Sequence, residues 1–459
     1  MTSRRAFLQG AAAAISAGSL SPARAAATGY VRVEKIDGVW WFVGPEGDRF
    51  VSLGVNHLEP HLWLAPYNKE ATLDRYGADM VDANGRFNPS GEATRKWIER
   101  QVETCRDLGF NTFGKHTHAS IPSALYRDEV YHVASLETAP LAGWQERKGE
   151  GPRPDPFSGE FERFVETRVR AACDLHKNSR KLLGYLYTDI PSWRLRQNGR
   201  TTYPWVEAIV GLGEHTAGKQ RWIEHLRGRY NDAEACARAW GLPVSPAYGL
   251  SWERMARLVG WSEPADATRA DTDRVSFLAV VAERWYGLHR ELIAKYDPNH
   301  LILGDKNLIQ NYDPFLVPAL RKHVDVIVTQ SYNRWADDAP LNRSIHERIG
   351  KPIVNGDGSH SYVQPNQQGR GAKGFRTGSK SFEEVAALYR ETLEGMMRTP
   401  YMIGWHHCGY LEQWDEAERG DSPRNENGFL DPFERPHTIW TDVIREANSA
   451  AVRQHEAAT

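Results

Sequence analysis

The sequence predicts an α/β protein: a (β/α)8 TIM barrel with a short N-terminal β-hairpin and a helical insertion after the fourth barrel strand. Three observations carry this. From Phe50 onward, eight short apolar runs alternate mostly with amphipathic stretches, the pattern of buried parallel strands separated by helices. Nearly every run ends in polar or aromatic residues, as expected where strand ends face a site. The chain has 459 residues, enough for a barrel of about 250 plus insertions. A doubly wound dinucleotide-binding sheet would need a Gly-rich phosphate loop after its first strand, and none is present.

The elements follow in order. Val31-Arg32-Val33 and Val39–Val43 are strand-like, and Gly44-Pro45-Glu46-Gly47 supplies a turn. The eight barrel candidates are Phe50–His57, Phe110–His116, Tyr131–Ala134, Leu182–Asp189, His300–Asp305, Val324–Tyr332, Lys351–Asp357 and Tyr401–His407. Helical periodicity appears at about 90–108, 157–177, 273–296, 314–323 and 382–397, with a closing helix from Thr438. Residues 196–260 are too long for a βα loop and read as a helical excursion over the rim, with helices at Gly218–Tyr230 and Ala233–Trp240. Gly358–Lys380 and Glu412–Pro436 read as long rim loops.

Residues 1–27 read as a twin-arginine signal peptide. Arg4-Arg5, Phe7-Leu8 and a short small-residue run to Leu20 occur in order before Ala23-Arg24-Ala25. The expected location is therefore periplasmic or secreted. Residues 28–459 form the barrel. The net charge of −2 points to no nucleic-acid and no membrane partner, and oligomeric state is not legible. The four cysteines, Cys105, Cys173, Cys236 and Cys408, are scattered, against a metal or disulfide framework. Sixteen Trp and 18 Tyr suit a cleft in which rings stack on sugars, or an aromatic core.

Strand ends supply the candidate site: Asn56, His57, Lys115, His116, His118, Asp189, Asp305, Lys306, Tyr332, Asp357, His360, Trp405, His406 and His407, with Trp193 just beyond the fourth strand. Hydrolysis of a glycosidic bond needs two carboxyl groups flanking it. Asp189 and Asp357, on different strands, are the natural pair. Tyr332 is placed to hydrogen-bond a nucleophilic carboxylate, and Trp405 to floor a sugar site. The histidines with Asp305 raise a metal alternative, but no H-E-x-x-H spacing supports it. No cofactor and no metal are expected.

Together, several segments resemble the retaining (β/α)8 glycoside hydrolases of clan A, nearest to the family 50 β-agarases and family 42 β-galactosidases. These are Asp37–Val43 with its turn, Phe50–His57, Phe110–Gly114, Arg221–Gly241, Gly404-Trp405-His406, and Asn425–Asp431 with Arg435-Pro436. The resemblance implies a fourth strand ending in Asn-Glu, the Glu being the acid/base, and a seventh ending in a nucleophilic Glu. Aligned on Gly184-Tyr185 and Trp193, those positions hold Asp189 and Ile190; aligned on Lys351-Pro352, the nucleophile position is Asp357. Ile190 cannot move a proton.

The expectation is an exo-acting glycoside hydrolase on oligosaccharides from a complex polysaccharide, with Asp189 and Asp357 catalytic. His116, His118, His407 and Glu426 are alternative proton donors. Because Asp is shorter than Glu, the pair should stand farther apart than the ~5–5.5 Å of retaining enzymes, favouring inversion. The alternative is a non-catalytic carbohydrate-binding barrel.

Overall fold

The computed structural model describes residues 27–139, 153–197, 200–242, 249–258, 267–362, 378–413 and 428–458. The signal-peptide reading, Glu426 and most of the two rim loops lie outside them. Eight parallel strands close in chain order into a barrel: Ser52–Val55, Thr112–Phe113, Tyr131–Ser135, Leu182–Asp189, Ile302–Leu308, Ile327–Gln330, Ile353–Gly358 and Met402–His407. All eight expected strands are present. The fourth is buried at every residue, which is why it reads as an uninterrupted apolar run.

The N-terminal element is larger than a hairpin. Arg32–Ile36, Val39–Val43 and Arg49–Phe50 form a three-stranded antiparallel sheet. Asp37 and Gly38, both at positive φ, make its first turn, and Gly44–Gly47 leads into its third strand. Val31, Phe42 and Phe50 from this segment pack with Leu183, Leu186, Leu303, Val326, Val328, Val354 and Ile403 of the barrel interior, so the sheet plugs the barrel.

The helices form the outer layer. Glu92–Asp107, Gly159–His176, Ala267–Tyr296, Val317–His323, Phe382–Met397 and Thr438–Glu456 fall where periodicity places them. Trp335–Ile349 escapes a periodic reading because Pro340 lies inside it. Among the described residues, no helix is long and apolar enough to cross a membrane. The four cysteines are buried and unbridged.

The insertion holds a hairpin, Leu195–Gln197 with Arg200–Thr202, and the helices Pro204–Val210, Ala217–Arg227, Ala233–Ala239 and Trp252–Arg257. Asp273 ties it to the long helix Ala267–Tyr296. Its fully buried carboxylate accepts from Arg229 Nε (2.5 Å), Tyr230 OH (2.5 Å) and Trp240 Nε1 (2.7 Å). Asp273→Ala leaves three donors without this acceptor. It is expected to lower the unfolding free energy by about 3 kcal/mol, read from the urea midpoint, while Asp273→Asn costs less.

Candidate active site

Register, more than composition, decides which side chains reach the barrel interior. Between strands four and five, Tyr185–Leu186 opposes Ile302–Gly304, so strand five carries one extra residue. Leu186–Asp189 then opposes Gly304–Lys306, so strand four carries the next. Each irregularity reverses which residues point inward. Gly304 (φ 67°) serves the first, and a Cβ there would meet Val324 Cγ1 at 2.8 Å. Strand seven repeats the device: Asn355–Asp357 opposes Thr329–Gln330. Its extra residue is Gly356, where a Cβ would lie 2.4 Å from Val328 Cγ1.

These bulges bring Asp189, Lys306 and Asp357 together. Lys306 Nζ donates to Asp357 Oδ2 at 2.5 Å and lies 3.2 Å from Asp189 Oδ1. His116 Nε2 is 3.2 Å from Lys306 Nζ, 3.3 Å from Asp189 Oδ2 and 3.9 Å from Asp357 Oδ2. Asn56 Nδ2 donates to Asp357 Oδ1 at 2.9 Å and to the Gly356 carbonyl. His57, at φ 64°, stacks on His116 with centroids 4.4 Å apart and planes at 7°. Its Nδ1 lies 3.5 Å from Glu59 Oε2. Because both aspartates touch one ammonium, their nearest oxygens lie within about 6 Å, below the ~6.5–9.5 Å of inverting pairs.

Charge balance sets the protonation states. Burial alone would raise the Asp189 and Asp357 carboxyls, but Lys306 reverses this and holds both well below the usual carboxylate range. Burial would deprotonate Lys306; the two carboxylates hold it charged. Burial and the Lys306 charge push His116 down to about 4, so it is neutral at pH 7. Glu59, against His57, is pulled down to about 2. Glu137 is lowered by its ion pair with Lys115 and accepts from Ser135 Oγ at 2.6 Å. The cluster's carboxyls are thus all held in the ionised form.

Several expected site residues lie elsewhere. Asp305 faces the helix layer, where Trp285 Nε1 donates to it at 3.1 Å and burial lifts it to about 7; the bulge at Gly304 gives the interior to Lys306 instead. Trp193 is fully buried, stacked on Trp205 and Tyr286, and offers no face to a sugar. Trp405 packs against Tyr389 of helix Phe382–Met397, and His360 Nε2 pairs with Thr392 Oγ1 on that helix at 2.8 Å. His407 sits among Tyr389, Phe429 and Trp440. His406 lies within the barrel, bonded to Ser52 Oγ at 2.8 Å. His118 is exposed beside Ser120, and Lys115 is paired with Glu137. Tyr332 OH donates to Cys408 Sγ at 3.4 Å. Among the described residues nine Trp are fully buried, so their abundance mainly builds core.

Sequence reasoning put Lys306 among the strand-end residues without giving it a role, and it missed Glu59, Glu137 and Cys408. Lys306 directly follows Asp305, and only the bulge distinguishes them. Glu59 and Cys408 sit just past strand ends one and eight, where a wider window beyond each strand would have included them.

No family model matches the chain. It is 21% identical over 487 aligned positions to β-agarase B of Vibrio sp. (strain JT0107), covering 92% of this chain and 48% of that protein. To β-agarase A of the same strain it is 22% identical over 470, covering 90% and 44%. The chain thus spans about half the length of these relatives. Among solved structures, an agarase superposes with TM-score 0.75 at 20% identity, covering 94% of this chain and 66% of the other. An exo-β-agarase superposes at 0.73 with 18% identity, covering 96% and 67%. The chain has the TIM-barrel fold of these glycoside hydrolases.

The Lys306 bridge has a pH signature. Both aspartates have depressed folded-state pKa values, so their pairing stabilises the protein above the unfolded carboxyl range. That stability is lost as pH falls through the folded values. In Lys306→Met the buried, unpaired carboxyls shift the other way, and the variant is relieved as they protonate in acid. Lys306→Met is expected to cost about 3–5 kcal/mol at pH 7. The deficit should narrow at pH 4.5, as measured by denaturant unfolding at both values; an equal deficit would contradict the bridge.

Proposed function

We propose that the chain is a glycoside hydrolase acting on agar-type galactan oligosaccharides, with Asp357 as nucleophile and His116, oriented by Asp189, as proton donor. One observation carries this: an ionised carboxylate fixed by Asn56 and Lys306, with an imidazole 3.9 Å away, at the C-terminal end of the barrel strands. A nucleophilic carboxylate must be ionised, and Asp357 is held so. The proton must come from a group that can carry one, and Ile190 cannot. His116 can, in acid, with Asp189 at 3.3 Å steadying its charge.

In the first step, an Asp357 oxygen bonds to the anomeric carbon as the glycosidic C–O bond breaks. The leaving oxygen takes the proton of His116. Neutral His116 then takes a proton from water, which attacks the same carbon and frees Asp357. The similarity to β-agarases over 92% of the chain supports the galactan substrate. Exo action rests on the insertion. Trp205 donates to the Pro191 carbonyl at 3.0 Å and fixes a wall just beyond the fourth strand.

A second reading, a sugar-binding barrel without turnover, is favoured by Ile190. It stands at the acid/base position at φ 45°, pinned by its N–H to the Lys306 carbonyl. Reducing-end release from agar oligosaccharides separates the two readings. Asp357→Asn is expected to lower kcat by at least about 10³-fold, and His116→Ala by about 10²-fold. Wild-type kcat should rise as the pH falls toward about 4, where His116 gains its proton while Asp357 stays charged. A wild type that is thermally stabilised by oligosaccharide but releases no reducing ends at any pH establishes the binding reading.

A further inference from the structure

We propose that His57, Asp357 and Cys408 form a binding site for a divalent metal ion of the zinc class. One donor atom from each, an imidazole nitrogen, a carboxylate oxygen and a sulfur, lies within 4.8 Å of the other two. Nitrogen, oxygen and thiolate sulfur make up the donor sets of zinc sites, and three protein ligands leave a fourth position for water or a sugar hydroxyl. In a tetrahedral zinc site such donors stand roughly 3.3–3.6 Å apart, so closure needs a contraction of about one ångström.

The surroundings favour this set. Asp357 and Cys408 are 2% and 3% exposed. Asn56 and Lys306 already fix the Asp357 carboxylate, and Tyr332 OH donates to Cys408 Sγ. Such outer partners orient metal ligands. His57 holds a left-handed backbone uncommon for a non-glycine residue, which sets its ring between Glu59 and Cys408. A neighbouring set, His57, Glu59 and His116, is equally close. There the two imidazoles lie face to face at 7°. Imidazole donates through a lone pair in the ring plane, so stacked rings do not aim at one ion.

Binding forms sulfur–metal, nitrogen–metal and oxygen–metal bonds, and the Cys408 thiol and the His57 imidazolium each give a proton to solvent. The hydrolase reading adds a consequence: a metal that takes up Asp357 removes the nucleophile, so loading lowers turnover.

The test is titration of the full chain with Co2+, followed by absorption. One equivalent is expected to give a near-ultraviolet thiolate-to-cobalt charge-transfer band. Cys408→Ser should abolish the band. Asp357→Asn should keep it while weakening affinity at least tenfold, and Glu59→Gln should change neither. Asp357→Asn leaves the thiol in place, so the site stays testable if Cys408→Ser fails to fold. No saturable band, a band that persists in Cys408→Ser, or one lost in Glu59→Gln overturns the site. The expected band with hydrolysis unchanged supports the site and removes Asp357 from the reaction, so the two readings fail separately.

Discussion

One buried ammonium organises the mouth of this barrel. Lys306 is fully enclosed, and taking its charge out of water costs several kcal/mol unless partners restore the lost solvation. Asp357 and Asp189 do so. They in turn could not share so small a space as two anions without it, since like charges this close force one carboxyl to stay protonated. The three groups are therefore one unit: each makes the burial of the others tolerable, and none can be replaced alone without stranding a charge. His116 rests on the same unit. Its low pKa follows from burial and the Lys306 charge, and its orientation from Asp189.

That unit depends on backbone irregularity. In a regular strand five, Leu303 facing the interior would bring Asp305 inside and turn Lys306 out. The extra residue at Gly304 reverses this, the compensating one in strand four turns Asp189 toward Lys306, and Gly356 does the same for Asp357. Both glycines sit where a Cβ would collide with a valine: Val324, just past helix Val317–His323, for Gly304, and Val328 of strand six for Gly356. A side chain there would therefore press the bulge against its neighbour, at the points that set the spacing of the charged unit.

The same irregularities mark how far the sequence could be read. The eight strands and most of the helices are legible because burial on both faces leaves apolar runs, and one-sided packing leaves a 3.6-residue period. Asp189 and Asp357 are legible as strand-end carboxylates. Inward and outward facing is not, because one inserted residue inverts it and leaves no compositional trace. Hence Asp305 and Lys306 stood together among the strand-end candidates, and only the bulge separates them. Trp405 and His407 were expected at the site although they face the helix layer. Trp193 misled for another reason. A Trp beside a strand end suits a sugar platform and a core plug equally, and here the insertion brings Trp205 down to cover it. The third strand of the N-terminal sheet is only Arg49–Phe50, too short to separate from the barrel strand beginning at Ser52.

On the proposed hydrolase reading, the electrostatics of the two aspartates decide which group is able to supply a proton. A retaining site with two glutamates sets their pKa values apart by placing one in apolar surroundings and the other near positive charge. Here a single lysine serves both carboxylates and pulls both down together, so neither is left protonated to act as the acid. In the proposed mechanism the asymmetry that acid–base chemistry needs falls on another pair, a carboxylate that stays charged and an imidazole that stays neutral until the solution is acidic. A firmly held anion beside an imidazole and a thiol is also what a metal ion seeks, so one arrangement of charge underlies both the hydrolytic and the metal-binding readings.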